Sequence, residues 1–150
     1  MTFKQQIHQK YSQLVQDRID VFRDMISALT EDSKNDAKGS AGDKHETALS
    51  MMHIEQEKLN HKLTEAIDQK AILDKIGNTS NTSEKIALGS LVKANDIHLY
   101  LCAALPKVTI DNINVIALSP QSPLGAKLMG KEIDYSFEIN GTNYVIQAID

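Results

Sequence analysis

The sequence predicts an α+β protein: an N-terminal antiparallel coiled-coil hairpin of two helices, then a small domain built on a twisted antiparallel sheet with one short helix. Three observations predict it. The prolines stand only at 106, 120 and 123, and before residue 77 glycine occurs only at 39 and 42, so nothing in the first half forbids long helices. Apolar residues recur there at steps of three and four, whereas after residue 84 they gather in short β-prone runs bounded by turn residues. Finally, Asn140-Gly141 separates two alternating segments, the strongest short-range hairpin signal.

The first helix is expected from Phe3 to about Leu29. Ile7, Tyr11, Leu14, Val21 and Met25 form one apolar stripe, interrupted by Arg18, and Val15, Ile19, Phe22, Ile26 and Leu29 form a second beside it. Thr30 to Gly42 then breaks the pattern with small, polar and turn-forming residues. A second helix is expected from near Asp43 to Gly77, with Leu49, Met52, Leu59, Leu63, Ala66 and Leu73 as its seam and Gln56 and Lys70 filling two seam positions. Asp43 suits the N-cap, Glu46 three residues on completes the spacing of a capping box, and Gly77 suits the C-cap. Residues 1–77 therefore read as an antiparallel hairpin with a tip loop near 30–43. Residues 78–83 read as a linker, and 84–150 as the second domain.

In the second domain, 86–93, 97–105 and 112–118 are the first strand candidates. Tyr135, Phe137 and Ile139 alternate before Asn140-Gly141, and Tyr144, Ile146 and Ala148 alternate on the return. Between them, Ser122 to Gly130 reads as one short helix, with Pro123 at its first position and Leu124, Leu128 and Met129 turned to the sheet.

Composition excludes several function classes. Sixteen Lys and Arg against twenty Asp and Glu leave a net charge of −4, which argues against a sequence-independent grip on nucleic-acid phosphates as the main activity, and no sequence-specific DNA binding is expected. With no Trp, three Phe and four Tyr, a stacking platform for single strands is not expected. A lone cysteine, Cys102, excludes an intramolecular disulfide and a multi-cysteine zinc site, and its apolar strand marks it as a core residue. The longest apolar run, Ile97 to Leu105, is about half a bilayer span, and the N-terminus lacks the apolar core of a signal peptide. A soluble, reduced, cytoplasmic protein without membrane contact is expected.

No nucleophile elbow, phosphate loop or dinucleotide fingerprint is present. His53, Glu57 and His61 share a helical face at steps of four, but no other Cys or His is placed to complete a zinc site, so a solvated face is expected. Asp43 and Glu46 are either a helix cap or two carboxylates presented to a partner, and the two readings are compatible. Two carboxylates alone hold Mg²⁺ feebly, so no metal is expected to bind tightly to this chain by itself; such a tip could complete a metal site belonging to another molecule.

With these elements in place, the sequence resembles the Gre family of bacterial transcript cleavage factors, which join an N-terminal coiled coil to an FKBP-like domain. The resemblance lies in Leu88-Gly89-Ser90-Leu91-Val92, in Ser119-Pro120-x-Ser122-Pro123-Leu124-Gly125 with Lys127, Leu128, Gly130 and Lys131, in the closing Asn-Gly hairpin, and in Gly42-Asp43-x-x-Glu46 at the tip. It implies a factor that enters the secondary channel of RNA polymerase and stimulates the polymerase's own hydrolysis of backtracked RNA, rather than an enzyme in its own right. Asp43 and Glu46 would be donated in trans to the polymerase active site, sharing Mg²⁺ with it and meeting the RNA 3′ end indirectly. Ser119, Pro120, Ser122 and Pro123 would dock the head at the channel rim.

The chain departs from the family after Glu46, where Asn-Ala-Glu-Tyr is replaced by Thr47-Ala48-Leu49-Ser50. Residues 1–77 also carry eleven Lys and Arg against thirteen Asp and Glu, without the family's basic stalk. A non-cleaving secondary-channel regulator or inhibitor is therefore a second reading. A coiled-coil adaptor is a third, and a prolyl isomerase, which needs an aromatic-lined pocket, a fourth.

Overall fold

The structure is a computed structural model that describes residues 1–39, 43–77 and 83–150, without the side chains of residues 33, 35–39 and 43–45. Most of the linker at 78–83 and the tip glycine Gly42 lie outside the described residues. The fold is α+β, with two long helices preceding a six-stranded mixed sheet. The chain forms two compact units, one of Gln13–Lys70 and the other of Met1–Ser12 with Ala71–Asp150. The outer ends of both long helices thus belong to the same unit as the sheet.

Helix α1 spans Phe3–Gly39 and α2 spans Asp43–Gly77. The end expected near Leu29 is not observed. Thr30–Lys38 contains no proline, and Glu31, Lys34, Ala37 and Lys38 are good helix formers, so polarity alone does not stop the helix. At its start, Thr2 Oγ1 accepts from the Gln5 amide and Gln5 Oε1 accepts from the Thr2 amide, satisfying two backbone donors reciprocally.

Within Gln13–Lys70, α1 buries Val15 and Ile19 and half-buries Phe22, Ile26 and Leu29, the second of its two stripes. In the other stripe, Val21 and Met25 stand 51% and 50% exposed. The seam of α2 follows its expected positions, with Leu59 and Ala66 buried and Leu49, Met52, Gln56 and Leu63 half-buried. Gln56 Nε2 donates to Thr30 Oγ1 at 3.2 Å, tying the two helices in antiparallel register.

In the other unit the strands are β1 (Leu91–Ala94), β2 (Ile97–Leu101), β3 (Val108–Ile110), β4 (Ile113–Leu118), β5 (Ser136–Ile139) and β6 (Thr142–Ile149), with α3 at Pro123–Leu128. Their order is β3-β4-β2-β1-β6-β5. The expected all-antiparallel sheet is corrected at one place, because β2 and β4 run parallel, His98 opposite Val115 and Leu101 opposite Leu118. After β2 the chain passes β4 to make the edge strand β3, then turns back at Asp111-Asn112, both at positive φ. The connection that a parallel pair requires is thus the whole segment between β2 and β4, with β3 inside it. The run from Ile86 is likewise no strand as far as Ser90. Gly89 turns there at φ +89°, and an added Cβ would lie 2.9 Å from Ile76.

The sheet core gathers Val92, Ala94, Leu99, Leu101, Leu118, Phe137 and Ile146 around Leu128 of α3 and Ile86. Ile7 and Tyr11 of α1 and Leu73 of α2 are also fully buried.

Candidate functional site

Two groups of sequence-predicted residues lie in different units, and each has its own local logic. In the head, the chain leaves β4 at Leu118, whose carbonyl accepts from the Cys102 amide at 2.9 Å. The next four residues close on themselves. The Ser119 carbonyl accepts from the Ser122 amide at 3.0 Å and from Ser122 Oγ at 2.6 Å. Ser122 Oγ in turn accepts from the Gly125 amide at 3.0 Å, which makes Ser122 the N-cap of α3 with Pro123 directly after it. Ser119 Oγ donates to Gln121 Oε1 at 2.6 Å and accepts from the Gln121 amide at 3.1 Å.

Gly125 is required by this arrangement, since a Cβ there would collide with the Ser119 carbonyl. The product is a rigid corner with Gln121 and Pro123 exposed and Ser119, Pro120 and Ser122 half-buried. From Asn112 to Lys131 the chain carries Lys127 and Lys131 and no carboxylate, so this corner belongs to a locally cationic stretch of an acidic protein. Lys131 Nζ lies 5.0 Å from the centre of the Tyr135 ring, a cation–π contact.

In the hairpin unit, Asp43 opens α2, and its side chain lies outside the described residues, as does the proposed cap it would make. Glu46 stands exposed in the first turn of the same helix. Three residues apart, the two positions share a helical face, and negative charge in a first turn is favoured by the helix dipole. Carboxylate oxygens are the right donor class for Mg²⁺, though two of them are too few for a closed site. Among the described residues, no group of three or more His, Cys, Asp or Glu is placed to hold a metal. His53, Glu57 and His61 are all exposed on α2.

Sequence reasoning missed a buried polar cluster between the end of α1 and the sheet. Tyr11 donates its hydroxyl to the carbonyl of Pro106 at 2.8 Å, with the Val115 carbonyl at 3.3 Å, and its ring stacks on Tyr100. His8 Nδ1 lies 2.8 Å from Tyr100 Oη. Burial, and secondarily the neighbouring Cys102, pushes both tyrosine hydroxyls well above their ordinary range. The same burial pushes the Cys102 thiol up to about 11, against a smaller lowering by the Ala103 backbone. His98 packs edge-on against Phe3 while its buried Nδ1 has no partner. Burial, with Lys93 nearby, holds its pKa below the usual histidine range. The available signal was Tyr11 itself: a tyrosine in an otherwise aliphatic stripe brings a hydroxyl that must find an acceptor.

Tyr100 is fully buried, and Phe137 is buried between the stacked rings of Tyr135 and Tyr144. A hollow of about 510 Å³ opens among Ser83, Glu84, Glu132, Ile133 and Ile149. Among the described residues, no helix is long and apolar enough to cross a membrane. The chain matches no protein-family model and has no significant match among curated proteins.

Proposed function

We propose that this chain is a Gre-like transcription elongation factor, which binds bacterial RNA polymerase through its secondary channel and promotes cleavage of backtracked RNA. The observation that carries the reading is the Gly42-Asp43-x-x-Glu46 motif at the opening of α2, in a chain whose head carries Ser119-Pro120-x-Ser122-Pro123. The self-bonded corner at Ser119–Gly125 supports a docking role, since an exposed proline on a rigid turn costs little ordering entropy on binding.

Asp43 and Glu46 would serve as donated carboxylates beside the polymerase's own catalytic aspartates, helping to hold a shared Mg²⁺ and to orient the attacking water. The metal, when bound, would supply Lewis-acid activation of water and phosphate. The two positions are one helical turn apart, so both acids can be offered to one centre. The FKBP-like character of the head and the cytoplasmic location belong to the same proposal.

A second reading, a non-cleaving regulator of the same channel, is favoured by Thr47-Ala48-Leu49-Ser50 after the motif and by the balanced charge of residues 1–77. The deciding experiment is transcript cleavage in a stalled, backtracked elongation complex at near-neutral pH with Mg²⁺, comparing wild type with Asp43→Ala and Glu46→Ala. Shortening of the transcript by wild type, lost in both variants, is the expected result. Binding that displaces another secondary-channel factor without cleavage would leave the regulator. Absence of both would end the polymerase reading and leave the adaptor.

A further inference from the structure

The exposed stripe of α1 has the spacing of a second helix-packing seam. Leu14, Arg18, Val21, Met25 and Ala28 step by four, three, four and three, the a/d rhythm of a coiled coil. At about 100° per residue they occupy a band beside the row of Val15, Phe22 and Leu29 that faces inward. Leu14 and Arg18 are half-buried, whereas Val21, Met25 and Ala28 are exposed, so among the described residues the outer part of the band's apolar surface is left uncovered. Along its outer edge run Asp17, Asp24 and Glu31 at seven-residue spacing, all exposed. Asp17 Oδ1 accepts from Gln13 Nε2 at 2.8 Å, and Lys34 stands 3.9 Å from Glu31 with both side chains solvated, so the row keeps most of its negative field.

We infer that this band is the docking face for an amphipathic helix of a different protein, one whose apolar seam is flanked by lysine or arginine at seven-residue spacing. Charge selects that occupant over a second copy of the chain. In a two-fold antiparallel pairing of α1 with itself, like flanks meet, and the row Asp17, Asp24, Glu31 would face its own image. A basic flank converts the same three positions into three ion pairs. The band from Leu14 to Ala28 is about 21 Å long, enough for four turns of a partner helix. The inference rests on α1 alone and does not depend on the transcript-cleavage reading.

The test uses the full chain and a fluorescein-labelled helical peptide of about twenty residues. The peptide carries leucine at its a and d positions and lysine on both flanks; a control carries glutamate on the flanks. Anisotropy should show the lysine peptide binding about tenfold more tightly than the glutamate one, as expected for three solvent-exposed ion pairs against three repulsions. Val21→Gln with Met25→Gln should abolish binding. Asp17→Lys with Asp24→Lys and Glu31→Lys should reverse the peptide preference, each variant being checked for native helicity by circular dichroism. Equal affinity for the two peptides, no binding of either, or binding that survives the Val21/Met25 variant would overturn the inference. So would a sedimenting dimer of the wild-type chain that the same variant dissolves, because the face would then belong to a second copy.

Discussion

Tyr11 shows how a single hydroxyl decides the place of a helix end. Its ring belongs to the apolar stripe of α1, but its hydroxyl donates to carbonyls of the segment after β2 and of β4. Tyr11→Phe keeps the packing and leaves those acceptors without their buried donor. The variant should lose about 1–3 kcal/mol in urea unfolding, and an unchanged midpoint would show that water replaces the bond at no cost. His98 gives a pH dependence of definite sign. Its folded pKa lies below the ordinary value because burial and Lys93 oppose the proton, so below about pH 6.5 the unfolded chain binds that proton more readily. Its contribution is intact above that pH and is lost as pH falls through the folded pKa. His98→Gln should therefore flatten the fall in the urea midpoint between pH 7.5 and 5.5; an identical fall in wild type and variant would assign the acid sensitivity elsewhere. Cys102, with its thiol pushed up to about 11, should resist alkylation by iodoacetamide at neutral pH until denaturant is added. Rapid labelling of the folded chain would contradict its burial.

At the scale of elements, legibility follows how local the determining interactions are. The β5–β6 hairpin was readable because Asn140 and Gly141, at φ +50° and +83°, adopt the left-handed backbone that a two-residue turn needs. Helix α3 was readable because Ser122 and Pro123 announce its start within two residues. The α2 seam was readable because one row of side chains repeats with the helix. By contrast, the parallel β2–β4 pairing arises from a register between segments joined through an intervening edge strand, which no local pattern encodes. Strand β3 left a weaker trace, since Ile110-Asp111-Asn112-Ile113 is a turn pair between β-branched residues. Of the candidate site, the start of α3 was legible in Ser122-Pro123, whereas the hydrogen bonds that close the Ser119–Gly125 corner and the His8–Tyr100 contact, which joins residues 92 positions apart, were not. The choice between the stripes of α1 was also hidden, because both have helical period and only packing against α2 distinguishes them. Leu59→Ala, at a position 6% exposed, should cost about 2–5 kcal/mol, whereas Ile67→Ala, 41% exposed on the same helix, should cost clearly less. Equal losses in chemical denaturation would contradict the assigned seam.

At the scale of the whole chain, the two compact units do not divide at one point in the sequence. Residues 1–12 and 71–77 belong with the sheet, and the hairpin unit is inserted between them. A protein lacking residues 1–12 should therefore lose thermal stability in the sheet unit, with Tyr100 emerging toward solvent and its hydroxyl titrating closer to the ordinary tyrosine value. Retention of the full-length melting temperature and of the Tyr100 titration would show that the sheet needs no helix end.

This division has a consequence for synthesis. The hydroxyl of Tyr11 waits for an acceptor 104 residues further on, in β4. At translation rates of roughly 10 residues per second, the N-terminal dozen residues spend on the order of ten seconds outside their final packing. During that interval Ile7 and Tyr11 lack the sheet residues that share their unit, while the hairpin between Gln13 and Lys70 has all its residues made and can close first. Residues made before the hairpin are thus among the last to settle.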